Sequence, residues 1–228
     1  MPAPITVIIP TLNAAEALAN ASVALMPGVE AGLIRALVVS DGGSQDETVE
    51  AAYQLGATLV SGPPGRGGQI ARGVATATTE WLLILHADSW PEDDWTRPVA
   101  NHIADHPDRA GWFRLRYRAT GLAPRIVAGW ANFRSSFFGL PYGDQGLLIR
   151  ADLLTSIGGV PDLPLMEDVA LARALRGRLK RLDGTVSTSA ERYLSGGWIR
   201  RGGRNLWTLA RYLMGADPAR LAERYRHR

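Results

Sequence analysis

Apolar runs and helical patterns alternate through the first half of the chain. Ile5 to Pro10 is a short apolar run closed by a proline and reads as a strand. Asn13, followed three residues later by Glu16, then caps a helical pattern through Leu18, Ser22 and Met26. Leu33 to Ser40 repeats the strand signal, and Ser44 with Glu47 has the spacing of a capping box for a second helix. Ala57 to Ser61 reads as a third strand. After Gly62-Pro63-Pro64-Gly65 a helical pattern covers Gln69 to Ala77, and the run Trp81-Leu82-Leu83-Ile84-Leu85 has the unbroken apolarity of a strand buried on both faces. Strands separated by helices need crossover connections, which implies a parallel sheet.

The second half is less regular. Ala110 to Arg118 alternates, with Phe113, Leu115 and Tyr117 on one face and Trp112, Arg114, Arg116 and Arg118 on the other. Ala123 to Phe138 has helical spacing, and its aromatic stripe of Trp130, Phe133, Phe137 and Phe138 is expected in the core or at a subunit contact. Gly146 to Arg150 reads as a strand, Asp152 to Ile157 as a short helix ended by Gly158-Gly159, and Glu167 to Leu175 as a helix opening on an acidic pair.

In parallel α/β sheets, ligands bind beyond the carboxyl ends of the strands. The polar residues there are Thr11 and Asn13, then Asp41, then Arg66, then His86 and Asp88, so four successive strand ends are expected to face one crevice.

Composition narrows the chemistry. With 228 residues and 46% hydrophobic content, the chain suits one sizeable core, predicted as a domain over 1–190 with a basic helical extension over 191–228 packed on it. No apolar run is long enough to cross a bilayer and the start lacks a signal-peptide pattern, which predicts a cytoplasmic protein. The absence of cysteine removes disulfides, thiolate catalysis and thiolate-bound metals, leaving oxygen or imidazole ligands. From Arg192 onward, nine arginines face Asp217 and Glu223, so the tail carries +7 of a total of +3 and the preceding chain −4. That asymmetry suits a polyanion such as a diphosphate or an acidic membrane surface, and equally a solvated helix face. No helix-turn-helix or other nucleic-acid-reading module accompanies it.

Taken one by one, the motifs leave alternatives open. Asp41-Gly42-Gly43-Ser44 suits close backbone approach to a ligand or a helix-capping loop. His86 and Asp88 project on the same side of an extended backbone, and one carboxylate is enough to hold a hard cation that bridges two phosphates. Asp88 equally suits a turn before a helix starting at Ser89 and Pro91. Glu167 and Asp168 at a helix start are stabilised by the helix dipole with or without a catalytic role.

The joint order of the motifs carries more. Ile-Ile-Pro-Thr-Leu-Asn at 8–13, Val-Ser-Asp-Gly-Gly-Ser-Gln-Asp at 39–46, Leu-His-Ala-Asp at 85–88, Gly-Asp-Gln-Gly at 143–146, Ile-Gly-Gly-Val at 157–160 and Met-Glu-Asp-Val at 166–169 together resemble the family 2 glycosyltransferases. A small bacterial subgroup associated with radical-SAM and selenodomain proteins is an especially close fit, having His-Ala-Asp where most relatives have Asp-X-Asp.

The resemblance implies an α/β GT-A-type nucleotide-diphospho-sugar transferase fold, a mainly parallel mixed sheet flanked by helices. It implies a nucleotide diphosphate sugar as donor, a UDP-sugar foremost, an unidentified acceptor, and inversion by a single metal-assisted displacement. Pro10, Thr11 and Asn13 would lie along the nucleoside, Asp41 would accept a base N–H, and Arg66 would meet the base or phosphates. Asp88 matches the metal-binding aspartate, for manganese or magnesium. His86 is a ribose donor or a second metal ligand, with Ala87 between them. Asp168 matches the general base and Glu167 its acidic neighbour. Gly143, Asp144 and Gln145 match the acceptor-side loop, and Arg200, Arg201 and Arg204 a flexible phosphate-facing segment. The competing readings are a nucleotidyltransferase, disfavoured because Thr11-Leu12-Asn13-Ala14-Ala15 replaces a glycine-rich basic loop, and a non-catalytic sugar-nucleotide binder. Peripheral membrane contact and a homodimer both stay open.

Overall fold

The computed structural model describes residues 3–92 and 94–226. The first half follows the pattern: β1 (Ile5–Thr11), α1 (Ala15–Glu30), β2 (Ile34–Asp41), α2 (Thr48–Gln54), β3 (Thr58–Ser61), α3 (Arg66–Thr76) and β4 (Trp81–Ile84). Next come β5 (Ser89–Pro91), α4 (Thr96–Asp105), β6 (Ala110–Tyr117), α5 (Leu122–Phe138), a 3-10 turn at Gly143–Gln145, β7 (Leu147–Arg150) and α6 (Ala151–Ser156). The chain continues through α7 (Glu167–Ala174), β8 (Leu179–Thr188), α8 (Glu191–Gly196), α9 (Trp198–Leu213) and α10 (Pro218–Arg226).

All eight strands form one sheet in the order β3-β2-β1-β4-β7-β6-β8-β5. β1 through β4 run parallel; β7 lies antiparallel to both β4 and β6, which turns β6 and β8 back to the direction of β4. The result is a mixed, mainly parallel sheet whose parallel strands all end at one edge. Alternation along β1 and β4 covers both faces: Val7, Ile9 and Leu83 enter one core cluster with Leu18, Trp95 and Phe113, while Ile8, Leu82 and Ile84 enter another with Ile70, Ile149 and Leu171. Each such fully buried side chain contributes about 1.5–3 kcal/mol of transfer free energy.

Several local expectations are corrected. Neither Asn13 nor Ser44 caps a helix, because each is used between loops: Asn13 Oδ1 accepts from Gln45 N at 2.8 Å, and Ser44 Oγ accepts from Asn13 N at 2.8 Å. Ser89 to Pro91 is a strand, which removes the helix-start alternative for Asp88. The aromatic stripe of α5 is not core: Trp130, Phe133, Phe137 and Phe138 are all exposed, and Pro124, Ala128 and Ala131 form the buried side. Residues 200–204 are helical within α9, with Gly202 and Gly203 inside it, so the expected flexible loop is absent there.

Candidate active site

The carboxyl edge of the sheet opens into a crevice of about 860 Å³, a size in the upper range for small-molecule sites. Pro10, Thr11, Asn13, Arg66, His86, Ala87 and Asp88 all line it, so three of the four predicted strand ends meet. The fourth does not. Asp41 is buried, and its Oδ1 accepts from Thr11 Oγ1 at 3.1 Å while its Oδ2 accepts from the backbone N–H groups of Gly43 and Ser44 at 2.8 and 2.9 Å. Burial pushes this carboxyl up, but the bonds from Ser44, Gly43 and Thr11 outweigh it and hold it below the ordinary aspartate range. Asp41 therefore stays ionised and fixes the loop after β2 rather than lining the crevice. Gln69 does similar work beneath it: its buried Nε2 donates to the carbonyls of Thr11 and Ser40 at 2.7 and 2.9 Å, tying α3 to the ends of β1 and β2.

A smaller cavity of about 160 Å³ adjoins the crevice and shares Arg66, His86, Asp88 and Glu167 with it. Asp168 and Asp144 border only the smaller one. Two loops build this end. Met166 takes a left-handed conformation (φ 67°) and turns the chain into α7, and Gly67 lets the start of α3 approach the loop before α7: a Cβ on it would lie 2.3 Å from the Pro161 carbonyl oxygen. That approach brings Arg66 Nη1 within 3.5 Å of Glu167 Oε1. From the other side, Gly143 donates its backbone N–H to Asp168 Oδ2 at 3.0 Å.

The electrostatics are those of crowded acids under partial cover. Burial foremost, with Asp168 adding and Arg66 opposing, pushes the Glu167 carboxyl up to about 7, and its Oε2 is sealed without a hydrogen-bond partner among the described residues. Burial likewise pushes Asp144 up to about 6, opposed by Arg134 and reinforced by Asp168 and Asp88. His86 is held well below the ordinary histidine range by burial, with Arg66 and Arg192 adding, so its imidazole is neutral.

The acceptor-loop expectation divides. Gln145 is fully buried and braces the loop, accepting at Oε1 from Ser135 Oγ at 2.5 Å and Tyr142 N at 3.2 Å and donating from Nε2 to the Phe113 carbonyl at 3.2 Å. Only Asp144 of that pair reaches the cavity. In the tail, Arg201 lines the smaller cavity, whereas Arg200 is exposed and neither Arg200 nor Arg204 borders either space.

Two further arginines border the site, read from the sequence only as part of the basic face of 110–118 and of the basic tail, without a place in the crevice. Arg192 borders both spaces, and Arg118 lines the crevice with its guanidinium 3.4 Å over the Trp90 ring and its Nη2 donating to the Asp88 carbonyl at 3.0 Å. Arg118 directly follows β6, which runs parallel to β4, so the strand-end rule applied to one more strand would have found it.

For a metal ion, the described residues contain no cluster of three or more histidine or carboxylate ligands. The set that fits is Asp88, which borders both spaces and is a hard oxygen ligand of the kind a magnesium or manganese ion takes beside diphosphate oxygens. His86 fits less well, since its Nε2 abuts Gly143 so closely that a Cβ there would be 2.3 Å away.

A family model described as "Glycosyl transferase family 2" matches residues 6–148, more than half of the chain. Uncharacterized glycosyltransferases of Mycobacterium tuberculosis and Mycobacterium bovis are 40% identical over 85 residues, covering 37% of this chain and 36% of each relative, so the match spans about a third of their length. Among solved structures, glucosyl-3-phosphoglycerate synthase from Mycobacterium tuberculosis in complex with Mn²⁺, UDP and glucosyl-3-phosphoglycerate superposes with a TM-score of 0.58 at 20% identity, over 82% of this chain and 70% of that one. The same enzyme with Mn²⁺ and UDP-glucose gives 0.57 at 19% identity over 82% and 69%. Likeness at that identity establishes the GT-A fold.

Proposed function

The chain belongs to glycosyl transferase family 2, and from that premise we propose that it moves a sugar from a nucleotide diphosphate donor to an acceptor hydroxyl with inversion, by a single in-line displacement. One observation carries this reading: a donor-sized crevice adjoins a smaller cavity, Asp88 borders both, and Asp168 borders the smaller space but not the crevice. A displacement needs this separation, with charge neutralisation at the leaving group and proton removal at the nucleophile.

In this scheme the nucleoside lies along Pro10, Thr11 and Asn13, and the diphosphate faces Arg66, Arg118 and Arg192. Asp88 would hold a manganese or magnesium ion, which when bound supplies electrostatic stabilisation of the departing diphosphate. Neutral His86 donates to a ribose or sugar oxygen rather than ligating the ion. Asp168, oriented by the Gly143 amide, takes the acceptor proton. Glu167, its carboxyl raised to about 7 and so about half ionised at neutral pH, anchors Arg66 beside the donor. Arg201 approaches from the tail, and residues 191–228 act as an extension of the 1–190 domain. UDP is the favoured nucleotide because the glucosyl-3-phosphoglycerate synthase of the same fold was solved with UDP-glucose. The subgroup associated with radical-SAM and selenodomain proteins and a cytoplasmic location complete the reading.

The test is a thermal-shift and hydrolysis screen of nucleotide diphosphate sugars with and without Mn²⁺. A transferase is stabilised by its donor and slowly hydrolyses it in a metal-dependent way. Binding without hydrolysis would support a non-catalytic sugar-nucleotide module instead.

A further inference from the structure

α5 turns an unusual face to solvent. Trp130, Phe133, Phe137 and Phe138 are 43%, 48%, 72% and 54% exposed, yet they touch one another in sequence, with ring centroids 5.8 Å apart for Trp130–Phe133, 5.4 Å for Phe133–Phe137 and 5.0 Å for Phe137–Phe138. This is a contiguous apolar patch rather than scattered surface residues, and Leu122 and Ile126 extend it along the same helix. α9, in contact with α5, also leaves apolar side chains uncovered, including Ile199 and Trp207.

The charges carried by the two helices themselves have one sign. Neither α5 nor α9 contains an aspartate or glutamate, whereas Arg125 and Arg200 are exposed on them. The carboxylates of the tail are on the helices that flank α9, Glu191 on α8, Asp217 before α10 and Glu223 on it. A second copy of the chain meeting this surface in a symmetric pair would bring arginines against arginines. An anionic lipid surface takes both components, accepting aromatic rings at the headgroup boundary and pairing its phosphates with the arginines. No helix among the described residues is long and apolar enough to cross a membrane, so the contact is one of lying on the surface.

We propose that the exposed faces of α5 and α9 dock the protein onto an anionic lipid bilayer, a property that goes beyond the transfer reaction above. The geometry adds a consequence: from the side of the helix facing away from Ile199 and Trp207, α9 supplies Arg201, Asn205 and Thr208 to the smaller cavity, so the docked helix also forms a wall of the space assigned to the acceptor.

The test is co-sedimentation with vesicles of phosphatidylcholine alone or with roughly 30% phosphatidylglycerol, at about 0.1 M and about 0.5 M salt. The full chain is expected to sediment with the anionic vesicles at low salt, and at least about tenfold less with neutral vesicles or at high salt. Phe133→Ser with Phe137→Ser, both exposed positions, should lower anionic-vesicle partition at least about tenfold while Tm and UDP affinity stay unchanged, and Arg125→Glu should lower it further. No sedimentation with anionic vesicles, or sedimentation unaffected by the phenylalanine changes, overturns the proposal. So does a concentration-dependent dimer in light scattering that the phenylalanine changes abolish while vesicles capture nothing, which would assign the patch to self-association.

Discussion

The backbone N–H of Gly143 points at Asp168 Oδ2 from 3.0 Å, joining the loop before β7 to the first turn of α7. The carboxylate proposed as base is thus held by a group of the loop proposed to face the acceptor. Asparagine at 168 can still accept this bond through its amide oxygen, so Asp168→Asn should keep the fold and donor affinity while removing the proton acceptor. Transfer is expected to fall at least about a hundredfold, with donor Kd moving little. Glu167→Gln serves as the contrast: if it is the more damaging change in steady-state assays, the base assignment shifts by one residue.

Gly143 also explains why no side chain is tolerated beside His86. A Cβ on it would lie 2.3 Å from His86 Nε2, so Gly143→Ala should cost about 1–3 kcal/mol by overpacking. Combining it with His86→Ala should restore part of that loss, which denaturant unfolding of the double-mutant cycle would read as a coupling energy. Strict additivity would mean that the imidazole does not occupy this position in solution.

Glu167 predicts a pH dependence of stability. Its carboxyl is raised from 4.5 to about 7 in the folded chain, so between these values the unfolded state ionises while the folded state does not. Stability from this group is therefore complete below about 4.5 and is lost as pH rises toward 7. Glu167→Gln should flatten that slope and raise Tm near pH 8 by roughly 4–8 °C, equivalent to about 2 kcal/mol in a chain of this size. Thermal unfolding from pH 5 to 8 checks the sign, and an unchanged slope would dismiss the raised carboxyl.

Asp88 is expected to account for the metal dependence of nucleotide binding. In Asp88→Ala the gain in UDP affinity on adding Mn²⁺ should shrink at least about tenfold, while metal-free affinity, resting on Pro10, Thr11 and the arginines, changes little. Calorimetric titration with and without Mn²⁺ decides it, and an intact metal response would move the ligand role elsewhere.

Much of the donor half was legible because its strands are buried on both faces and end in proline or polar residues, as at Pro10 and His86. β8 was not. Its sequence, Leu179-Lys180-Arg181-Leu182-Asp183-Gly184, is half exposed and charged in its first part, and its burial comes from pairing with β6 rather than from its own apolarity. β5 is only three residues long. Of the strand-end residues, Thr11, Arg66 and Asp88 line the crevice while Asp41 does not, since position along a strand does not say whether a carboxylate is captured by its own loop. Gln145 was misplaced for a related reason: a polar residue in a site motif can brace the loop from inside, and only its bonds to Ser135 and Tyr142 reveal this. Motif order identified the family, yet helix patterning alone cannot tell the exposed stripe of α5 from a core-facing one, because the period is the same on either side.

The placement of β5 has a consequence for how the molecule comes into being. β5 follows β4 closely in the chain but pairs with β8 at the far edge of the sheet, so the segment bearing His86 and Asp88 is anchored by residues made about a hundred positions later. Ser89 Oγ meets Thr188 Oγ1 at 3.1 Å, and the Asp88 carbonyl accepts from Ser189 N at 3.2 Å. During synthesis from the N-terminus, β1 to β4 can gather while this segment still lacks its moorings. The floor of the crevice along β1 to β4 is then expected to form early, and the position of Asp88 to be set only when β8 joins, so that the proposed transfer activity would mark the completion of the sheet.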